Sequence, residues 1–201
     1  DATSYVTLDG TTSAAHQPTR RPRRAPTTSV DRAHLAELLT IIEGASRALH
    51  VAHEAGLVHR DVKPGNVMIA TDGAPVVLDF GLVQIEDDDS LTRTGDFAGT
   101  PAYASPEQLT GKRVAVDRRS DVYSLGVTLY ECVTLRRPFD EPTREALFQS
   151  IMAQTPVSPR TLNPAVSRDL ATVIATAIDK DRNRRYQTAL DLAEDLRRVA
   201  A

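Results

Sequence analysis

The segment HRDVKPGN, residues 59–66, places a histidine, two strong cations, a carboxylate and an amide within eight consecutive positions. The apolar run at residues 67–70 follows it directly. A polar turn before a strand would explain such a composition. Groups that transfer protons, carry positive charge and bind metal ions would equally suit a catalytic loop. The elements around the segment have to decide between these two interpretations.

A β-hairpin is predicted next, because two short apolar runs flank the sequence TDGAP, with Asp72-Gly73 at the turn. Asn66 and Asp79 lie six residues on either side of that turn. Antiparallel pairing therefore sets these two side chains roughly opposite each other, at the open end of the hairpin and beside Asp61. Each of the three alone could be a turn-forming residue. Together they are the hard oxygen ligands that Mg²⁺ prefers when substrate phosphates complete its coordination.

Helical periodicity dominates the rest of the chain. Apolar residues recur at three- and four-residue steps between positions 35 and 52, and Gly56 supplies a stop signal. Residues 121–133 are apolar nearly all round, which is typical of a helix buried in a core. Three amphipathic helices are also predicted, the last two with N-cap residues Ser167 and Thr188: 143–153, 167–178 and 188–199. One small hairpin among many helices predicts an α+β domain that is mostly α.

The composition predicts a soluble globular chain, since 41% of the 201 residues are apolar and 25% are charged. The net charge of −3 gives no general attraction to nucleic acid or to an anionic membrane. Cys132 is the only cysteine, which excludes an internal disulfide and suits a reducing compartment. No apolar run approaches the roughly 20 residues that span a bilayer. We therefore expect a cytoplasmic location and no nucleic-acid partner, although a full-length protein could carry a membrane anchor elsewhere.

Residues 1–30 differ in composition from the rest, being rich in Thr, Ser, Pro and Arg. Such a segment cannot bury enough apolar surface to offset the entropy of ordering it, so it predicts a flexible arm or a hinge-region insertion. The arginine cluster RRPRRAP within it suits either a solvated linker or a contact with phosphate or an acidic partner. The folded domain is expected over residues 31–201.

Three motifs occur in order along this domain: HRDVKPGN at 59–66, DFG at 79–81 and GTPAYASPE at 99–107. They resemble the catalytic loop, the metal-binding loop and the end of the activation segment of eukaryotic-like (bacterial-type) serine/threonine protein kinases. The resemblance continues over about residues 31–201 and implies the large C-terminal lobe of a kinase catalytic domain, up to its helices F to I. The small N-terminal β-lobe is largely absent, since no GxGxxG loop and no VAIK-like strand occur.

The resemblance implies a role for each residue at the site. Asp61 is the catalytic base that orients the substrate hydroxyl and accepts its proton, and Lys63 neutralises the γ-phosphate during transfer. Thr100 bonds to both of them, and this threonine and Lys63 are similar to those of the serine/threonine-specific branch. Asn66 and Asp79 hold the Mg²⁺ or Mn²⁺ ions that accompany ATP.

The same resemblance implies packing roles. Met68 lies beneath the adenine ring of ATP, or packs in the core as a lone methionine often does. His59 and Phe80 stack in the regulatory column of kinase cores, which Asp121 anchors. Residues of this kind would hold even an inactive kinase together.

Two further contacts implied by the resemblance concern the activation segment. Glu107 is expected to pair with Arg185 and so to tie the segment to the lower part of the lobe. Arg60 is expected to bind a phosphorylated residue of the segment, for which three hydroxyls are available: Ser90, Thr92 and Thr94. Phosphorylation by a neighbouring copy would require self-association. Two departures from the family pattern are mild: Ser105 at a usual alanine and Arg182 at a common proline.

The activity implied is transfer of the γ-phosphate of ATP to serine or threonine of protein substrates. The isolated chain is expected to have impaired activity, because the small lobe supplies half of the phosphate clamp. That lobe is expected upstream in cis, since the chain begins with Asp1 rather than Met, and a truncated gene is a second explanation. A third explanation, a lobe kept for binding, would make the chain a non-catalytic kinase-like interaction or scaffold module.

Overall fold

The computed structural model describes residues 30–80, 100–110 and 116–200. Within these ranges the chain forms helices and one two-stranded antiparallel sheet, so the predicted mostly α architecture is confirmed. The elements are, in chain order, α1 Arg32–Glu54, β1 Val67–Ile69, β2 Pro75–Val77, α2 Pro106–Leu109, α3 Arg118–Thr134, α4 Arg144–Ala153, α5 Pro159–Leu162, α6 Arg168–Ala177 and α7 Ala189–Ala200. Two 3₁₀ turns, Pro64–Asn66 and Pro101–Tyr103, precede β1 and α2.

Helix α1 begins and ends where the sequence predicts. The Oδ1 atom of Asp31 accepts the backbone N–H groups of Ala33 and His34, at 3.0 Å each, and so caps the first turn. Gly56 follows the last turn with a φ of 79°, a left-handed conformation that favours glycine. The buried apolar stripe of the helix contains Leu35, Leu39, Ile42, Ala45 and Leu49. The helix therefore delivers residues 59–66, which we call the HRD loop, to the edge of the core.

Helix α3 is the central element of the core. All side chains from 120 to 130 are buried, as the apolar composition predicts. Helices α1, α6 and α7 pack around it. A Cβ atom on Gly126 would lie 2.7 Å from the Cβ of Ala177 and 2.8 Å from the Cγ2 of Ile178, so only glycine allows α3 and α6 to approach so closely.

The two helices near the C-terminus have the predicted caps. The Oγ of Ser167 accepts the N–H of Leu170 at 3.0 Å and begins α6. At α7 a capping box forms, because the Oγ1 of Thr188 accepts the N–H of Asp191 and the Oδ2 of Asp191 accepts the N–H of Thr188, each at 3.1 Å. In the part of the chain that the structure describes, no helix combines the length and the apolar composition needed to cross a membrane.

The hairpin forms, but its turn is longer than predicted. The N–H of Ala70 donates to the carbonyl of Ala74 at 2.8 Å, so the loop comprises residues 71–73 and is not centred on Asp72-Gly73. Gly73 has a φ of 86°, as the last residue of a three-residue hairpin loop requires. The additional loop residue shifts the pairing of the two strands by one position.

The shifted register places Leu78, and not Asp79, opposite Asn66. The carbonyl of Asn66 accepts the N–H of Leu78 at 2.8 Å, and Asp79 follows as the next residue at the same open end of the hairpin. Strand β2 packs on α1, where a Cβ atom on Gly44 would clash with the ring of Pro75. The hairpin thus lies close against the helix that leads into the HRD loop.

Candidate active site

Three of the predicted site residues meet in a closed set of hydrogen bonds. The Oδ2 of Asp61 accepts from the Nζ of Lys63 at 2.6 Å, and its Oδ1 accepts the N–H of Thr100 at 2.9 Å. The Nζ of Lys63 also donates to the Oγ1 of Thr100 at 2.8 Å. The side chains of Asp61 and Lys63 are 13% and 29% exposed, so a substrate can reach both. The structure therefore brings the three residues together as one accessible polar group.

Asn66 and Asp79 lie at the open end of the hairpin beside this group. The Nδ2 of Asn66 donates to the carbonyl of Asp61 at 2.9 Å and lies 3.5 Å from its Oδ2. Because the amide nitrogen makes both contacts, the amide oxygen is the atom that can bind a cation. Asp79 has a φ of 60°, a left-handed conformation that aspartate adopts more readily than most residues with a side chain.

The chemistry of these two side chains fits Mg²⁺ without completing its coordination. Mg²⁺ is usually held by one or two protein oxygens, and phosphate oxygens and water supply the rest. Among the described residues, no group of three or more His, Cys, Asp and Glu side chains is placed to hold a metal ion. The pair therefore suits an ion that arrives with the phosphates of a nucleotide.

His59 connects the end of β2 to Asp61. Its Nε2 lies 2.7 Å from the carbonyl oxygen of Leu78, and its Nδ1 lies 3.3 Å from the backbone nitrogen of Asp61. A carbonyl can only accept and a backbone N–H can only donate, so the ring carries its proton on Nε2. The ring also packs against Phe80, with centroids 4.6 Å apart and planes inclined by 51°. His59 and Phe80 thus lie together, as the sequence predicts.

Asp121 holds the backbone of the HRD loop from the start of α3. Its Oδ1 accepts the N–H of Arg60 at 2.7 Å, and its Oδ2 accepts the N–H of His59 at 2.8 Å. Arg60 has a φ of 69°, which is left-handed and unfavourable for a residue with a side chain. Two hydrogen bonds donated by this backbone to one buried carboxylate explain how the conformation persists.

His53 is a member of this site that the sequence reasoning missed. Its Nε2 lies 2.7 Å from the Oδ2 of Asp121, and neither side chain is exposed. The signal was present in the sequence, because His53 continues the core-facing stripe of α1 four residues after Leu49. A histidine on such a stripe needs a buried polar partner, and Asp121 provides it.

Glu107 and Arg185 form the predicted buried pair. The Nη1 and Nη2 of Arg185 donate to Oε1 and Oε2 of Glu107 at 2.7 and 2.8 Å, and the Oγ of Ser120 donates to Oε1 at 2.7 Å. Burial opposes ionisation of Glu107, but the hydrogen bonds and the charge of Arg185 outweigh burial and hold its pKa below the ordinary value. The pair fixes α2 against the residues that follow α6.

Met68 lies on an exposed face of the hairpin. It pairs with Val76 across the sheet, and the two side chains are 55% and 41% exposed. Directly paired residues of antiparallel strands point to the same side. Met68 and Val76 therefore form a small apolar surface, and Met68 does not pack in the core of the described residues.

The regulatory residues are only partly described. The Nε of Arg60 is buried and has no hydrogen-bond partner within the described residues. The hydroxyls predicted to accept phosphate lie outside those residues: Ser90, Thr92 and Thr94. Gly81 of the DFG motif lies outside them as well. The pairing predicted for Arg60 stays a prediction.

The site and the fold together define the class of protein. The family described as protein kinase domain matches residues 27–195. This match covers most of the sequence, and the chain belongs to the protein kinase family. The resemblance inferred from the three motifs is thereby confirmed.

Bacterial serine/threonine-protein kinases are among the proteins similar to this chain. PknB of Mycobacterium leprae is 40% identical over 164 residues, which are 81% of this chain and 26% of that protein. PknB of Mycolicibacterium smegmatis is 41% identical over 163 residues, or 80% of this chain and 26% of the relative. The DNA damage-responsive serine/threonine-protein kinase RqkA of Deinococcus radiodurans is 44% identical over 161 residues, which are 79% of this chain and 24% of that protein. The chain spans about a quarter of the length of these relatives.

Proposed function

We propose that this chain is the large lobe of a protein serine/threonine kinase, which transfers the γ-phosphate of ATP to serine or threonine hydroxyls of protein substrates. The observation that carries the proposal is the hydrogen-bonded group of Asp61, Lys63 and Thr100 beside Asn66 and Asp79. The similarity to serine/threonine-protein kinases supports it.

Asp61 is the proposed catalytic base. The N–H of Thr100 and the ammonium of Lys63 each bind one of its oxygens, and these two contacts fix the direction of the carboxylate. A carboxylate held in this way can orient a substrate hydroxyl and accept its proton as the hydroxyl oxygen attacks phosphorus. The role requires a carboxylate and an open approach, and Asp61 has both.

Lys63 is proposed to neutralise charge. Its ammonium lies between Asp61 and Thr100, at 2.6 and 2.8 Å, so its position is fixed before any substrate binds. A fixed cation offsets the negative charge of the phosphoryl oxygens without reorganising during transfer. Asn66 and Asp79 are the residues that would hold Mg²⁺, which neutralises phosphate oxygens further when it is bound.

The surface formed by Met68 and Val76 is proposed to lie beneath the adenine ring. In this family a small lobe covers the nucleotide from the opposite side and carries the Gly-rich loop and a lysine. We propose that this lobe lies upstream in cis, that residues 31–201 form the C-terminal lobe, and that residues 1–30 are an arm or hinge-region insertion. The 201-residue chain alone should bind Mg·ATP weakly and transfer phosphate slowly.

Arg60 is proposed to regulate the lobe. Its buried Nε without a partner among the described residues is suited to a phosphate, which forms strong charge-assisted hydrogen bonds with arginine. Neighbouring copies of the chain are proposed to phosphorylate the activation segment in trans, with ATP as the donor of the phosphate. The acceptor hydroxyls are those of Ser90, Thr92 and Thr94.

The experiment joins the chain to the small lobe of a similar kinase and supplies Mg·ATP labelled in the γ-phosphate. We expect phosphopeptide mapping to find label on Thr92 or Thr94. Asp61→Asn should abolish incorporation, whereas Asp72→Asn, the same change in the exposed hairpin loop, should not. A folded, ATP-bound fusion that incorporates no phosphate would contradict the proposal and favour the scaffold function.

A further inference from the structure

The backbone of Arg60 is held from two sides. Its N–H donates to the Oδ1 of Asp121 at 2.7 Å, and its carbonyl accepts from the Nε2 of Gln108 at 2.8 Å. Arg60 is left-handed, with a φ of 69°, and it directly precedes Asp61. A residue in this conformation stays there only when its surroundings over-determine it. Gln108 is therefore one of the two groups that bind the backbone of Arg60.

Gln108 is itself fixed by Ser105. The Oε1 of Gln108 accepts the N–H of Ser105 at 2.9 Å and the Oγ–H of Ser105 at 3.0 Å. The backbone N–H of Ser105 can only donate and the carbonyl of Arg60 can only accept, so the carboxamide has one possible orientation. Ser105 is fully buried, whereas Gln108 and Arg60 are half-buried. We call this pair, Ser105 with Gln108, the SPEQ clamp.

The clamp lies on a rigid part of the chain. Glu107, between its two members, is bound by both arms of Arg185 and by Ser120. The same stretch begins at Thr100, whose N–H donates to the Oδ1 of Asp61. The end of the activation segment thus contacts the HRD loop at three points: the carboxylate of Asp61, the ammonium of Lys63 and the backbone carbonyl of Arg60.

We propose that Gln108 is a positioning residue for the phosphate transfer, because it holds the carbonyl of Arg60 and so fixes the turn that presents Asp61. This inference rests on the proposed kinase function. The serine at the usual alanine of this motif supplies a second donor to Gln108, because the Oγ–H of Ser105 also binds its Oε1. The amide of Gln108 thus adds a contact with the backbone of the HRD loop to the side-chain contacts that Thr100 makes with Asp61 and Lys63.

The chain offers variants that separate this role from helix capping. Gln108→Glu keeps an oxygen that accepts the N–H of Ser105 and completes a serine–glutamate capping box, but an ionised carboxylate has no N–H for the carbonyl of Arg60. Gln108→Met removes both contacts and serves if the glutamate variant does not fold. Thr188→Ala removes the capping box of α7, far along the chain, and is the matched control for a loss of capping alone.

Hydrogen exchange on the 201-residue chain tests the positioning role without any need for kinase activity. We expect Gln108→Glu to accelerate exchange of the amides of Arg60 and Asp61, and to leave the amides of α7 unchanged. Thr188→Ala should accelerate exchange in α7 and leave those two amides unchanged. Protection of Arg60 and Asp61 equal to wild type in both Gln108 variants would overturn the proposal, as would a uniform increase over the whole chain.

Kinetics on the chain joined to a small lobe test the consequence for transfer. Gln108→Glu should lower kcat about tenfold or more, with KM for ATP unchanged, because a small misplacement of a catalytic group is costly. An unchanged kcat would overturn the proposal. A wild-type fusion without activity would instead contradict the proposed function, while the exchange result would still decide the position of the HRD loop.

Discussion

Asp61 and Asp121 are two carboxylates of the site with different surroundings. Asp61 lies in the HRD loop, and Asp121 lies at the start of α3 and binds the backbone of that loop. Asp121 is fully buried, and its oxygens bind His53 and the backbone N–H groups of His59 and Arg60. Asp61 is 13% exposed and binds an ammonium and one backbone N–H. The carboxylate that holds the backbone is thus inaccessible to solvent, whereas the carboxylate proposed for chemistry is partly exposed. Substitution of Asp121 should therefore lower the stability of the fold, and substitution of Asp61 should lower activity.

The pair of Glu107 and Arg185 belongs with Asp121. The arginine side chain is not exposed and the glutamate side chain is 9% exposed. The Nε of Arg185 also donates to the carbonyl of Asp179 at 2.7 Å, so the guanidinium holds backbone as well as carboxylate. We call Asp121, Glu107 and Arg185 the buried anchors.

Arg185→Ala should have the largest effect on stability. It leaves the carboxylate of Glu107 buried without its bidentate partner, which costs about 3–5 kcal/mol of unfolding free energy. Denaturation by urea, followed by circular dichroism, measures the loss. Arg184→Ala is the matched control, because that side chain is 74% exposed, and it should cost less than about 1 kcal/mol. Equal losses in the two variants would show that the buried anchors do not carry the stability.

Asp121→Asn should have the next largest effect. The amide preserves the shape of the side chain, but its NH₂ group faces N–H donors, and we expect a loss of about 1–3 kcal/mol. Asp117→Asn, at the partly exposed N-cap of the same helix, keeps its capping acceptor but weakens partly exposed ion pairs with Arg119 and Arg182, and should cost less than about 1 kcal/mol. Thermal unfolding of the two variants compares them. A smaller loss of stability for Asp121→Asn than for Asp117→Asn would contradict the structural role assigned to the buried carboxylate.

Lys180 is a buried charge that differs from the buried anchors, because its ammonium has no hydrogen-bond partner among the described residues. Its Nζ lies 3.9 Å from the ring centroid of Phe139. Burial and the charge of Arg185 lower its pKa to about 8, although Asp179 acts in the opposite direction. The fold therefore disfavours the protonated lysine, and stability should rise as the pH increases from about 8 towards the ordinary value of 10.5.

Lys180→Met tests this expectation. The variant should be more stable than wild type at pH 7, and the gap should narrow as the pH rises through the lowered pKa. Arg197→Met, which removes a cation from the exposed surface of α7, should show no such narrowing. Urea denaturation at a series of pH values measures both gaps. A gap that stays constant for Lys180→Met would contradict the assigned environment.

The sequence predicts the parts of this lobe that depend on neighbouring residues. The periodicity of α1, the apolar composition of α3 and the caps at Ser167 and Thr188 depend on residues close together in the chain, and the structure has all of them. The first and third motifs also come together, as Asp61, Lys63 and Thr100 show by their hydrogen bonds. The hairpin register was wrong by one position, because the turn admits a third loop residue when Gly73 adopts a left-handed conformation.

Two contacts at the site could not be predicted from the sequence, because each joins segments that are far apart in the chain. His53 and Asp121 are 68 positions apart, and Gln108 and Arg60 are 48 apart. Neither pair has a local signature, because a histidine on a helical stripe and a glutamine after a proline have many possible partners. Packing of α1 and α2 against the HRD loop selects the partners, and only a folded chain shows that packing.

We propose that Asp61 serves chemistry, whereas the buried anchors serve the fold. The measurement that tests it most directly takes Asp61→Asn in the chain joined to a small lobe, and determines unfolding free energy and phosphate incorporation on the same sample. We expect Asp61→Asn to have an unfolding free energy within about 1 kcal/mol of wild type, because the contact with Lys63 is partly exposed. We also expect it to incorporate no phosphate. Incorporation at the wild-type level, or a loss of stability as large as that of Arg185→Ala, would contradict the proposal.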